Sequence, residues 1–272
     1  MKKISDTLYG AVWLVESPLH GDHNAVVVIK RIDMIKAART LQWFSHADNP
    51  RQERWAIERI WQAGGHDNIL HTHAVTVSHG CMSVMMDFCE GGDLLAVVHQ
   101  APLKRLTEDH ALRLFRQVVA GVQFLHEIGI AHRDLSLENV PLRHSIPKIC
   151  DFGLSVRTDC KCSEAVGKAY YMAPEVVTTK QYDPAIADLW SLGVMLFILL
   201  TGSPAFDCAS AEDAAFIAFK KFGVQQIMEA WGVTGSISTT TIGLLEGLLQ
   251  PDPVKRLTMA QVQDLFLLKL AM

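Results

Sequence analysis

The sequence lacks a surplus of either charge. Its 25 Lys and Arg nearly balance 29 Asp and Glu, for a formal net charge of −4. That excludes the strongly basic footprint with which nucleic acid or an anionic membrane surface is held. Long hydrophobic runs are also missing. The longest, LGVMLFILLTG (192–202), is far short of a membrane span and reads as a buried helix. No apolar run follows the two lysines of MKKISDTLYG, so the start is not expected to be a secretory signal. Cysteine is sparse and scattered: Cys81, Cys89, Cys150, Cys160, Cys162 and Cys208 include no CxxC pair, and no His pair has zinc spacing. Reduced thiols in an intracellular, cytoplasmic protein are the expectation. Cys160-Lys161-Cys162 reads as a passive loop pair unless Lys161 lowers a thiol pKa. Repeats and low-complexity segments are absent.

What remains is ordinary globular composition, 49% apolar and 20% charged, in 272 residues. That length fits one two-lobed domain or two small ones. LYGAVWLVE (8–16) and NAVVVIKRI (24–32) are β-rich runs, and the turn residues SPLHGDHN between them predict a hairpin. PRQERWAIERIWQAG (50–64) has helical spacing, with Pro50 at its start and Gly64-Gly65 at its end. HAVTVSHGCMSVMMDF (73–88) predicts two more strands about a His-Gly turn. The first third is therefore strands with one helix. After Gly91-Gly92 the pattern turns helical. A long amphipathic helix opens at Thr107 and closes at Gly129, and further helices are expected at 188–201, 210–222, 239–249 and 258–268. Strands followed by helices imply an α+β fold, with a hinge near Asp87 to Gly92 and a cleft between the parts as binding site.

One set of residues, in one order, suits phosphoryl transfer. That chemistry needs positive charge on the phosphates, a metal to bridge them, and a carboxylate to orient the attacking hydroxyl. Lys30 ends the strand VVVIK and can reach phosphate oxygens if a helix carboxylate holds it. Glu53 and Glu58 are both available. Glu53 is preferred because Ile57 and Ile60 follow on its own helix face. In HRDLSLENV (132–140), Asp134 is the candidate base and Asn139 a candidate metal ligand. CDFGL supplies Asp151 as a metal ligand, with Gly153 giving the backbone freedom to turn. MAPEV follows, with Glu175.

VVIK, HRDLSLEN, DFG and APE, followed by DLWSLG (188–193) and DPVKRLT (252–258), resemble the motifs of the protein kinase superfamily along essentially the whole chain. The resemblance is to the Ser/Thr type, with a second half like that of calcium/calmodulin-dependent kinases. It implies one domain over 1–272: a small antiparallel N-lobe with one main helix (1–87) and a larger helical C-lobe (88–272), with the activation segment at 151–175. ATP and Mg²⁺ would bind in the cleft, and the partner would be a protein with a Ser or Thr acceptor. By the same resemblance, Met86 is the gatekeeper, and Asp87 to Cys89 are the hinge that meets adenine. Asp93 lies near the ribose, Arg256 pairs with Glu175, and Asp188 holds the catalytic-loop backbone.

Departures from the family pattern define the questions. The loop usually reads HRDLKxEN, and its lysine meets a threonine in a Gly-Thr step before APE. Here Ser136 takes the lysine's place, and Lys168 the threonine's. A compensated swap would bring Lys168 to Asp134 and the γ-phosphate, beside Ser136. The alternative is a solvated Lys168 and a weakened site. The Gly-rich pattern GxGxxGxV becomes Ser5, Thr7 and Gly10 with Val12, which implies weaker phosphate cradling. Val28 and Pro141 replace an alanine and a leucine around adenine. Glu164 falls where many kinases are phosphorylated and would give Arg133 a fixed negative charge, with Ser163 and Thr158 as remaining phosphosites. Glu138 and Asp93 would favour basic residues upstream of the acceptor, mildly, since Ile198 replaces a further acid. The leading reading is an active Ser/Thr kinase. The alternative is a pseudokinase that binds nucleotide or scaffolds a partner.

Overall fold

The computed structural model describes residues 1–17, 25–44, 46–178 and 181–270. Alternating β-branched residues build the first part. β1 (Lys2–Thr7), β2 (Gly10–Ser17), β3 (Ala25–Asp33), β4 (Thr72–Ser78) and β5 (Cys81–Asp87) form one antiparallel sheet in the order β1-β2-β3-β5-β4. The expected hairpin is β2 with β3, in register from Gly10 opposite Ile32 to Ser17 opposite Ala25. Residues 18–24 of its turn lie outside the described residues.

Two elements were not expected here. β1 is an edge strand whose residues are mostly exposed, so it carries no alternation to read. α1 (Met34–Trp43) follows β3 directly, and its start is fixed by Asp33, whose carboxylate accepts from the amides of Ile35 and Lys36. It buries only Ala37, which leaves its apolar face faint in the sequence. Among the described residues the first third thus holds two helices, not one. The second, α2 (Pro50–Gln62), is the one expected. Asn49 caps it, Pro50 suits its first turn, and it buries Glu53, Ala56, Ile57 and Ile60 on one face.

Beyond β5 the fold is helical. α3 (Leu94–Gln100) and α4 (Glu108–Glu127) come first, α4 capped by Thr107 as predicted. Four short strands follow: β6 (Ile130–Ala131) pairs with β9 (Val156–Arg157), and β7 (Leu142–Arg143) with β8 (Ile146–Pro147). α5 (Pro174–Val177), α6 (Pro184–Thr201), α7 (Ala214–Ala230), α8 (Thr239–Leu248) and α9 (Met259–Leu270) complete the helical part. α7 runs past the expected end at 222 because Gly223 (φ 81°, ψ 170°) kinks the helix instead of stopping it. α6 is long and apolar enough to cross a membrane by composition alone, yet 78% of it is buried inside this fold. Trp190 and Phe197 are its largest fully enclosed side chains. Truncating either to Ala costs about 3–5 kcal/mol. An antiparallel sheet on a larger helical body makes the fold α+β. Between its two parts, the amide of Leu70 donates to the carbonyl of Ile149 at 2.9 Å.

Candidate active site

Three segments converge where the sheet meets the helical body. β3 brings Lys30, α2 brings Glu53, and the segment after β8 brings Asp151. The Lys30 Nζ lies 2.8 Å from Glu53 Oε1 and 3.1 Å from Asp151 Oδ1. Burial works to lower the Lys30 pKa, but the two carboxylates outweigh it and hold the ammonium charged, above its ordinary value. Asp151 would be raised by burial, and Lys30 pulls it below the usual carboxylate range. Glu58 points elsewhere, to Arg54 at 2.7 Å. Of the two helix acids, Glu53 is therefore the one on Lys30.

The loop HRDLSLENV is held from below. Asp188 of α6, 1% exposed, accepts from the amides of His132 (2.8 Å) and Arg133 (2.9 Å) and binds His126 Nε2 (2.9 Å). Arg133 and Asp151 both have left-handed backbones, φ 66° and 65°. Each costs on the order of 1–3 kcal/mol, so both depend on such surrounding bonds. His132 ties the two strained segments together: its Nδ1 accepts from the Asp134 amide (3.2 Å), and its Nε2 donates to the Cys150 carbonyl (3.0 Å). Asn139 Nδ2 donates to the Asp134 carbonyl (2.8 Å) and to Asp134 Oδ2 (2.7 Å). That leaves its side-chain oxygen available as an acceptor.

Lys168 comes from the segment before α5. Its Nζ is 2.7 Å from Ser136 Oγ and 3.5 Å from Asp134 Oδ2. Gly167 makes this possible. Its φ is +96°, and a Cβ there would lie 2.7 Å from the Arg133 carbonyl oxygen. Glu175 receives Arg256 at both oxygens (2.6 and 2.9 Å), and the guanidinium also lies over Trp190. Arg133 Nη1 reaches Glu164 Oε2 at 3.4 Å, at the edge of a cleft of about 420 Å³ between α2 and the activation segment. Backbone amides, its own and Ser163's, together with Arg133, hold the Glu164 carboxyl below its ordinary pKa.

The remaining sequence candidates are placed as follows. Val28 and Met86 face each other across β3 and β5, Val28 buried and Met86 half-buried. Asp87 is buried, and its carboxylate is held by His73 (2.8 Å) and by Arg143. Cys89 follows, its thiol pushed up to about 11, first by burial. Asp93 bridges to Pro141 and caps α3 through the Ala96 amide (2.7 Å). Val12 lies opposite Lys30 on β2. Ser5 and Thr7 are strand residues paired to Val12 and Gly10, with only Leu8 and Tyr9 turning between. Gly10 has its own structural reason, because a Cβ there would fall 2.0 Å from the Arg31 carbonyl oxygen. Lys161 pairs with Asp183 (3.0 Å), and burial raises the Cys162 thiol, so Cys162 is not an activated thiol.

Two neighbours escaped the sequence reading. Tyr9, 4% exposed, donates from its hydroxyl to the Asp48 carbonyl at 2.7 Å. Asp48 packs on Gly153, and its carboxyl is raised first by burial and then by Asp151. The only signal for Tyr9 was an aromatic at the β1–β2 turn.

A strand lysine clamped by a helix acid, above a carboxylate loop anchored on a buried helix, is an architecture for phosphoryl transfer. The chain belongs to the protein kinase domain family, whose sequence model matches residues 9–266. It is 34% identical to CBL-interacting protein kinase 3 of Oryza sativa subsp. japonica over 248 residues, 89% of this chain and 51% of that protein. To serine/threonine-protein kinase SAPK3 of Oryza sativa subsp. indica it is 34% identical over 204 residues, covering 73% and 60%. Calcium-dependent protein kinase 1 of the japonica subspecies is 35% identical over 224 residues, covering 80% and 42%. The chain spans about half the length of these relatives. The family implies ATP and protein substrates, and typically Mg²⁺.

Proposed function

We propose that the chain is an ATP-dependent protein serine/threonine kinase, made of one domain with lobes at 1–87 and 88–272. The observation that carries this is Lys30 held charged between Glu53 at 2.8 Å and Asp151 at 3.1 Å. In this reading Lys30 meets nucleotide phosphate, and Asp134 accepts the proton of the acceptor hydroxyl. Val12, Val28, Met86 and Pro141 enclose adenine, the backbone of Asp87 to Cys89 meets its edge, and Asp93 lies toward the ribose. Gly10 closes the phosphate end. Lys168 supplies the ammonium that the catalytic loop lacks, and Ser136 orients it. Ser/Thr is the acceptor class in the names of relatives such as serine/threonine-protein kinase SAPK3.

Asp151 and the Asn139 side-chain oxygen fit Mg²⁺, a hard cation that takes few protein oxygens and keeps phosphate and water in its shell. Bound there, Mg²⁺ would neutralise charge on the phosphate oxygens. The hydrogen bonds from Asn139 Nδ2 to Asp134 hold that side chain in one orientation, with its oxygen as the atom that would meet the metal. An intracellular setting is part of the same reading and is supported by six free cysteines.

One observation favours the pseudokinase alternative. β1 and β2 stay paired up to Thr7 and Gly10, so little loop remains to cover a phosphate chain. The test is Mg²⁺-dependent transfer of labelled γ-phosphate from ATP to the protein itself and to a mixed Ser, Thr and Tyr peptide pool. Transfer to Ser and Thr that Asp134→Asn abolishes is expected. No transfer by folded protein would replace this reading with the pseudokinase.

A further inference from the structure

Beside the acceptor position the structure holds a carboxylate that is already engaged. Glu138 sits on the single turn Leu137–Asn139, next to the asparagine that grips Asp134. It is half-buried, and both of its oxygens receive phenols. Tyr171 donates to Oε2 at 3.1 Å, and Tyr170 to Oε1 at 3.4 Å. The two tyrosines are not equivalent. Tyr171 is 2% exposed, its hydroxyl oxygen also accepts from the Leu137 amide (3.1 Å), and its carbonyl accepts from Ser191 Oγ (2.9 Å). It is a fixed part of the wall. Tyr170 is half-buried, leans on Tyr171 with ring centroids 4.6 Å apart, and reaches Glu138 over a long bond. It is the displaceable partner.

We propose that Tyr170 is a specificity-determining residue: its hydroxyl occupies the carboxylate that a basic side chain of the protein substrate would otherwise bind. The inference rests on the kinase reading. The phenol reaches the carboxylate only over 3.4 Å, whereas a guanidinium adds its own charge and can bind with two N–H groups, so arginine can still displace the phenol. It gains only the difference, and discrimination for arginine is blunted. Asp93, the other acid considered for this task, has one oxygen engaged by the α3 amide of Ala96 at 2.7 Å. Removing the Tyr170 hydroxyl frees one Glu138 oxygen while the ring stays on Tyr171. Freeing the carboxylate from one long 3.4 Å bond corresponds to about a fivefold change in preference.

The experiment compares serine peptides carrying Arg or Ala at each position two to five residues before the acceptor. The Arg/Ala ratio of kcat/KM is measured for wild type, Tyr170→Phe, and Tyr170→Phe with Glu138→Gln. Peptide affinity is read in parallel by fluorescence anisotropy. At one position the ratio rises about fivefold in Tyr170→Phe, mostly through KM, because the contact is made equally before and during transfer. Adding Glu138→Gln removes the gain. An unchanged or lower ratio in Tyr170→Phe overturns the proposal, as does a gain that survives Glu138→Gln. If no peptide is phosphorylated but the affinity ratio shifts as expected, the catalytic reading fails and this one stands.

Discussion

The ammonium of Lys168 lies 2.7 Å from the hydroxyl of Ser136, two residues beyond Asp134. The cation next to the candidate base therefore stems from the activation segment and not from the catalytic loop. Ser136 is fully buried, so its short side chain leaves room for a lysine arriving from outside. A flexible stem reaches the same point from a different root. The placement also joins the order of the activation segment to the candidate site, because that segment carries the cation beside Asp134.

Gly167 is the pivot of that arrangement. At φ +96°, and with a virtual Cβ 2.7 Å from the Arg133 carbonyl oxygen, it tolerates no side chain in place. Gly167→Ala is expected to cost about 1–3 kcal/mol in urea unfolding. It should also cut phosphoryl transfer more than any other single-methyl substitution in the segment. A variant as stable and active as wild type would refute the close packing.

Glu53 and Glu58 separate a buried ion pair from a surface one. Glu53 is 5% exposed and holds Lys30; Glu58 faces Arg54 on the helix exterior. Glu53→Ala leaves a buried ammonium short of a partner and should destabilise the protein by about 3 kcal/mol. Glu58→Ala should stay within about 0.5 kcal/mol. Chemical denaturation of the two variants measures the difference, and equal losses would contradict the assignment.

Glu164 sets an acid limit. Its carboxyl is held below the ordinary value by backbone amides and Arg133. A depressed acid contributes above its ordinary pKa of 4.5 and loses the contribution as pH falls through the lower folded value. Between pH 7 and about pH 5 the Arg133 contact should therefore persist. Glu164→Gln should lower transfer at every pH in that range, by no more than about fivefold, because an exposed pair contributes at most about 1 kcal/mol. Phosphatase treatment of the wild type should change nothing, and activity lost on that treatment would show that a phosphate does the work instead.

Much of this site was legible in the chain. The phase of α2 selected Glu53, since Ile57 and Ile60 lie on the same buried face. The Lys168 placement was legible as a displaced residue type, because a missing lysine and an extra one fell in two segments expected to touch. α1 was not legible, because a helix that buries only Ala37 shows no periodic face. Neither was the Tyr9–Asp48 contact, which joins residues 39 apart through a backbone carbonyl that has no sequence signature. The engagement of Glu138 was hidden for a similar reason. Tyr170 and Tyr171 are adjacent and chemically identical in the chain, and only their different burial separates a wall from a displaceable partner.

The most direct measurement is the rate of γ-phosphate transfer by wild type, Lys168→Ala, and the exchange variant carrying Ser136→Lys with Lys168→Thr. Loss of a positioned cation at the reacting phosphate costs on the order of 10²-fold or more, and Lys168→Ala should show it. The exchange variant, with the ammonium back on the catalytic loop, should recover to within about tenfold of wild type. A Lys168→Ala enzyme that transfers phosphate at the wild-type rate would contradict the account.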